Sequence, residues 1–327
     1  MPITSKDFPS LTDDLQSIFF EAAKRKIGDN TGYTVFDVKG TERLNHEHQI
    51  LHGIKGIQKL AEGEDFPKTD AEEGDSIIWT QEHYGAIVPI TKKMRKFDLH
   101  SKITKVAKKI SEDAFDKVDQ SLADRLLGGF SNTYTDPYGE TQSSLGPDGK
   151  SLFANNHDSP SGSETFSNLI REGSTYNPPL SRQAIVDTRT AARTHKDPNG
   201  QLRPVHLDTI VVPPNLEDLA ERIILSEKIP GSANNDRNPL YNKLKIKVWD
   251  RLSQASDGTD TSDYWYLMES QAAKDETLKA LFAEKPSLDA PDVVYSNKNW
   301  EYSLDFYYVT GNGHPAYVFG SDASGSA

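Results

Sequence analysis

The chain has 327 residues, with 37 basic and 49 acidic side chains and a formal net charge of −12 at pH 7. That length suits about two domains or one elaborated one, and the negative field argues against a DNA-coating or membrane-surface protein, because phosphate is repelled at long range, while leaving room for a small local basic patch. Cysteine is absent, which excludes a disulfide framework, a thiolate metal site and a cysteine nucleophile.

Leu, Ile, Val and Phe total 72 of 327 residues, and the mean hydropathy is −0.65. This is lean for one compact globule. Aromatic groups (4 Trp, 13 Tyr, 13 Phe) are still numerous enough to build thin cores. The combination suits a flat or extended molecule that finishes burying its surface in an assembly. An ordinary polar domain with long loops is the alternative. No apolar run approaches the roughly 18–20 residues of a membrane span, and Met1 to Asp7 lacks the apolar core of a signal peptide. A soluble protein made and used in the cytoplasm is the simplest expectation.

In chain order, residues 10–27 predict an amphipathic helix with Ser10 or Thr12 as N-cap and Leu11, Leu15, Ile18, Phe19 and Ala22 at helical spacing. A strand-like piece, Tyr33 to Val38, follows. An acidic stretch then carries Glu62, Glu64, Asp65, Asp70, Glu72, Glu73 and Asp75 against Lys68. The β-rich runs Ile77–Thr80 and Ala86–Ile90, separated by Gln81 to Gly85, predict a β-hairpin. An isolated hairpin is marginal in water, so this one is expected to be either a mobile surface loop or an arm lying on another subunit.

The charge inverts between Lys92 and Lys109, where Lys92, Lys93, Arg95, Lys96, Lys102, Lys105, Lys108 and Lys109 face Asp98. Acidic and basic stretches in one chain can complement each other between copies, or both can be solvated faces that never meet. Residues 101–127 predict the clearest helix, with one narrow apolar stripe (Ile103, Val106, Ile110, Ala114, Val118, Leu122) and Gly128-Gly129 as its stop. The stripe is enough to rest on a sheet, not to be surrounded. Ser181 is expected to cap a helix to about His195, and Pro198-Asn199-Gly200 to turn the chain. Thr209–Val212 predicts a buried strand, and Asn215 the cap of a helix whose inner face is Leu216, Leu219, Ile223 and Ile224. Strands are expected at Leu244–Trp249 and Trp265–Met268, and a short helix over Glu276–Phe282. From Trp300 to Tyr308 aromatic and polar residues alternate as in a half-buried strand. This mixture fits an α+β protein of two packed layers.

Signals for chemistry are weak. His48 and His52 stand four apart beside His46, but Gln49 replaces the glutamate a zincin helix requires. Gly149-Lys150-Ser151 resembles the end of a phosphate-binding loop, yet Ser144 stands where its first glycine belongs; Gly146 to Gly149 is expected to be a turn. Asp257, Asp260 and Asp263 lack EF-hand spacing. No catalytic residue, metal or cofactor is assigned.

The order of features resembles the major capsid proteins of tailed bacteriophages, with the Hong Kong 97 fold. Its cues are Ile54-Lys55-Gly56, Ala61 to Pro67, and Ile90 to Met94 leading into the long helix and Leu127-Gly128-Gly129. Further cues are Leu152-Phe153 with Asn156-His157, the run Leu207 to Leu216, and the late strand from Trp300. The resemblance implies residues 1–49 as N-terminal arm and first peripheral segment, and 50–92 as an extended loop reaching across a neighbour. It implies 93–180 as a peripheral domain with spine helix 101–127, 181–290 as apical domain, and 291–327 as the closing peripheral strand and C-terminus. The implied function is self-assembly of hexamers and pentamers into the icosahedral head shell around double-stranded DNA, located in the virion. Implied partners are a separate scaffolding protein (or prior cleavage), a portal and a decoration protein, with no sequence-specific DNA contact and no membrane.

In this reading Ile77, Ile78 and Trp79 anchor the hairpin on an adjacent subunit. The acidic run (Glu62, Glu64, Asp65, Glu72, Glu73) meets Lys92, Arg95, Lys102 or Lys105 of a neighbour, pairing that sets register while apolar groups supply affinity. Competing expectations are an encapsulin-like nanocompartment shell, a metal-dependent hydrolase using the histidines, and a tail or decoration protein.

Overall fold

The computed structural model describes residues 9–54, 59–60, 65, 71–97, 100–158, 165–196, 202–229, 236–289, 292–294 and 296–325. Helices α1 (Pro9–Asp29) and α2 (Gly32–Val35) precede strands β1 (Asp37–Gly40), β2 (Asn45–Ile54), β3 (Ala71–Thr80) and β4 (Glu82–Ile90). Helices α3 (Lys92–Lys96), α4 (His100–Leu127) and α5 (Arg182–Arg193) lead to β5 (Thr209–Val212), α6 (Glu217–Ile224), β6 (Lys245–Val248) and β7 (Trp265–Met268). The chain closes with β8 (Leu278–Leu288), β9 (Asp292–Val293), β10 (Trp300–Asn312) and β11 (Val318–Ser321).

The long helix forms where its sequence predicts, but its surroundings differ. Every residue from Ser121 to Leu127 is buried, Asp124 and Arg125 included, so the C-terminal half is enclosed rather than laid on one surface. Its polar residues tolerate this because they are bonded. Asp119 accepts from Gly32 N (3.0 Å) and Trp249 Nε1 (3.2 Å), while Arg125 donates to the carbonyls of Ser143 and Thr310. Helix α1 begins at Pro9, upstream of both expected caps, and lies along α4 through Phe19 and Phe115 (centroids 6.5 Å apart) and the Lys26–Asp116 ion pair at 2.8 Å.

A five-stranded sheet covers α4. Its order is β1–β8–β10–β9, with β4 on the other side of β10. Strand β1 runs parallel to β8; the β8–β10 and β4–β10 pairs are antiparallel, the latter from Ile90↔Trp300 to Glu82↔Tyr308. The alternation of β10 is as expected: Trp300, Tyr302, Leu304, Phe306 and Tyr308 are buried in the core with α4, while the residues between them are partly exposed.

The second sheet has the order β6–β5–β7–β11. Ile210 and Val212 of β5 face a core built with Ala184 and Ile185 of α5 and Ala220, Ile223 and Ile224 of α6. Val211, Tyr266 and Met268 point the other way, into the first core. One sheet therefore serves both cores and joins the two layers. Ser181 caps α5, accepting from Ala184 N at 3.0 Å.

Several local expectations are corrected. The runs ending in Thr80 and Ile90 do not pair with each other: β3 pairs antiparallel with β2, and β4 joins β10. Only Gln81 separates β3 from β4, too short a link to fold one back on the other, so the chain passes from one sheet to the next. The piece from Tyr33 is a helical turn before β1, because Gly32 N and Phe36 N find bonds at Asp119 and Gly32 O. Glu276–Phe282 is not a helix; a π-turn ends at Thr277, and the buried run Leu278 to Phe282 suits a strand covered on both faces. Asn215 does not cap α6: its amide donates to Asp263 Oδ1 (3.2 Å), and Ala220 rather than the exposed Leu219 faces inward. The Gly146–Gly149 turn is present, with Gly149 N bonded to Gly146 O at 3.0 Å. The Pro198–Gly200 turn lies outside the described residues.

Candidate subunit-contact surface

Strands β2 and β3 form a two-stranded ribbon that belongs to neither larger sheet. Their register places His46 opposite Trp79 and His48 opposite Ile77 on one face, and Glu47 opposite Ile78 on the other. The first face is the root of the ribbon. Trp79 stacks on His48 (5.2 Å) and His46 (6.1 Å) and lies on the backbone of Gly311 in β10. Burial, followed by the nearby Lys279 ammonium, holds the His48 imidazole below its ordinary range, which keeps it uncharged at neutral pH.

Beneath Trp79 a cavity of about 290 Å³ is lined by Glu82, Tyr84, Arg125, Asp136 and Gln142, among others. Gln142 Nε2 donates to Glu82 Oε1 (3.1 Å) and Asp136 Oδ2 (3.3 Å), and Tyr84 donates its hydroxyl proton to Glu82. This network braces the start of β4 and fixes the ribbon's exit direction.

The expected contact residues divide clearly. Trp79 is 5% exposed and packed within its own chain, which corrects its assignment to a neighbour: it anchors the ribbon at home. Ile77 shares its face and is half-buried, whereas Ile78 is 62% exposed. Glu72 and Glu73 are positions of β3, Arg95 of α3 and Lys102 of α4. Asp65, Lys92 and Lys105 are exposed, and Glu62 and Glu64 lie outside the described residues. Asp65 forms no ion pair with Lys92 or Lys105. Sequence reasoning missed the seating of the ribbon. Its signal, His46, His48 and Ile50 in alternation with Glu47 and Gln49, is a strand pattern hidden by the polarity of histidine.

Other exposed apolar side chains surround this region, Leu44 (65%) before β2 and Ile87 (66%) on β4. Strand β4 pairs only with β10 among the described residues. Ile78 and Ile87 thus leave apolar area exposed beside the ribbon.

Residues 74–319 match the phage capsid protein family, and the chain belongs to that family. It is a structural protein of the virion capsid, not an enzyme, and the family favours the capsid over the nanocompartment and hydrolase alternatives.

Solved structures share the fold. The capsid of an empty GTA particle aligns with a TM-score of 0.53 and 8% identity, covering 89% of this chain and 89% of that one. Gordonia phage Cozz gives 0.52 and 9% identity, covering 89% and 85%. The capsid of cyanophage P-SCSP1u gives 0.52 and 10%, covering 88% and 86%. At these identities the likeness is one of fold, the α+β Hong Kong 97 type. No curated protein matches the chain in sequence. No helix among the described residues is long and apolar enough to cross a membrane.

Proposed function

We propose that this chain is the major capsid protein of a tailed phage and assembles with itself into the icosahedral shell that holds the double-stranded DNA genome. The observation that carries the reading is the β2–β3 ribbon, anchored at its root by Trp79 and joined to neither sheet, within a chain of the capsid family. A two-stranded ribbon is marginal by itself; laid across an adjacent copy it gains a third surface. Ile78 is the outward apolar contact, and the acidic positions 62–75 meet the basic positions 92–105 of a neighbour. The loop spans 50–92 in this assignment, with 1–49 the arm and first peripheral segment, 93–180 and 291–327 the rest of the peripheral domain and 181–290 the apical domain. Strand β8 sits in the sheet with β10, which supports moving 278–288 to the peripheral part.

A separate scaffolding protein, a portal and a decoration protein complete the assembly. Packaged DNA is held without sequence-specific contacts, in keeping with the net charge of −12. Deleting residues 62–75 tests the loop mechanism: the variant is expected to fold but to form no closed shells by electron microscopy. Normal shells from it would overturn the mechanism.

A further inference from the structure

A groove of about 380 Å³ runs between α5 and the segment before β6, lined by Val186, Arg189, Thr190 and Arg193 on one side and Pro239, Leu240 and Lys243 on the other. It is the reverse of the protein's overall charge. Arg189 and Arg193 stand one turn apart, and among the described residues neither they nor Lys243 has an ion pair or side-chain hydrogen bond. Burial, then the adjoining Arg193 guanidinium, holds Arg189 below the ordinary arginine range. Cations crowded beside apolar walls with no counter-charge are costly unless an anion arrives from outside.

The same chain carries the complement. On α6, Ala220, Ile223 and Ile224 face the core, which leaves Glu217 and Glu221 exposed, with Leu225 (47% exposed) one turn beyond. Neither carboxylate is paired among the described residues; the ion pair on this helix is Asp218–Arg222. The α5 stripe runs Val186, Arg189, Arg193, and the α6 stripe runs Glu217, Glu221, Leu225. At 1.5 Å per residue both span about 10–12 Å, and laid antiparallel they match charge to charge and apolar to apolar.

We propose that the α5 groove of one copy receives α6 of a second copy, antiparallel, with Arg189 against Glu221, Arg193 against Glu217 and Val186 against Leu225. The contact joins two different patches, so it is head-to-tail and closes a ring when repeated about a rotation axis. This deepens the shell assignment and rests on it, adding a specific junction between second-sheet units.

The experiment is a charge swap in the full chain, run beside wild type. Arg189→Glu/Arg193→Glu and Glu217→Arg/Glu221→Arg are each expected to raise the protein concentration needed for assembly by about tenfold or more, since like charges then face each other. The fourfold combination restores it. Within the register, Arg189→Glu rescued by Glu221→Arg but not by Glu217→Arg supports the antiparallel match. Thermal melting of unassembled chains verifies folding; should the reversed groove melt early, Arg189→Gln/Arg193→Gln is used, with a smaller rise expected. Groove variants that assemble as wild type, or a folded fourfold variant that does not recover, would overturn the docking. The wild-type shells in the same series carry the shell assignment itself, so the two failures are distinguishable.

Discussion

Trp79 lies flat on Gly311: a Cβ added to that glycine would stand 2.2 Å from Trp79 Cε2. The close approach is possible only because β10 has no side chain there, and it sets the height of the ribbon root above the five-stranded sheet.

Replacing Gly311 with alanine is therefore predicted to displace the indole and destabilise the chain by about 1–3 kcal/mol, the usual cost of overpacking. Trp79→Ala removes the anchor and costs about 3–5 kcal/mol. Melting midpoints give both values, and a red-shifted tryptophan emission in Gly311→Ala reports the exposed ring. Unchanged emission and stability would contradict the anchor.

Outward from the root, Ile78 behaves oppositely. Being 62% exposed, its replacement by lysine changes the stability of the isolated chain by less than about 0.5 kcal/mol but impairs shell formation. Melting curves together with particle counts separate the two effects; normal particle yield would remove Ile78 from the interface.

A second clamp holds the segment after α4. His157 is 1% exposed, with Nδ1 2.6 Å from Asp148 Oδ2 and Nε2 facing Leu152 O (3.2 Å) and Asn168 Oδ1 (3.1 Å). Burial pushes the Asp148 carboxyl up, but the hydrogen bond and charge of His157 outweigh it and leave the group below its ordinary range. Its contribution is therefore present above the ordinary carboxylate pKa and is lost as pH falls through the lower native value. His157→Ala should cost about 3–5 kcal/mol at neutral pH and move acid unfolding to higher pH, as followed by circular dichroism.

Asp124 has the opposite sign. Burial pushes its carboxyl up to about 6 against hydrogen bonds from Ser256 and Gln120. The folded state then binds the proton more tightly than the unfolded one, whose value is about 3.9. Stability from this group is full below about pH 4 and declines by about 3 kcal/mol as pH rises past about 6. Asp124→Asn cannot ionise, so its melting temperature should vary less between pH 4 and 7. Parallel profiles for variant and wild type would refute the assignment.

The sequence is most informative where one periodicity dominates. The long helix, the α5 cap at Ser181, the β5 run and the aromatic alternation of β10 are all legible because burial on one face forces the pattern. It is least informative where polar residues are buried with partners from distant segments. Asp119, Asp124 and Arg125 look like solvent-facing positions until Trp249, Ser256 and Thr310 are brought to them. Pairing is the other blind spot: alternation locates β3 and β4 but does not say that their partners lie in β2 and β10. For the contact surface, the residue types were legible, but the orientation that turns Trp79 inward and Ile78 outward depends on the β2–β3 register.

Imaging of the purified protein by electron microscopy, alongside its sedimentation, tests most directly whether the chain completes its fold on identical copies. Closed, uniform shells in which the β2–β3 ribbon of each subunit lies across a neighbour are the predicted result. A stable monomer sedimenting as a single compact particle, with no shells under any assembly condition, would contradict it.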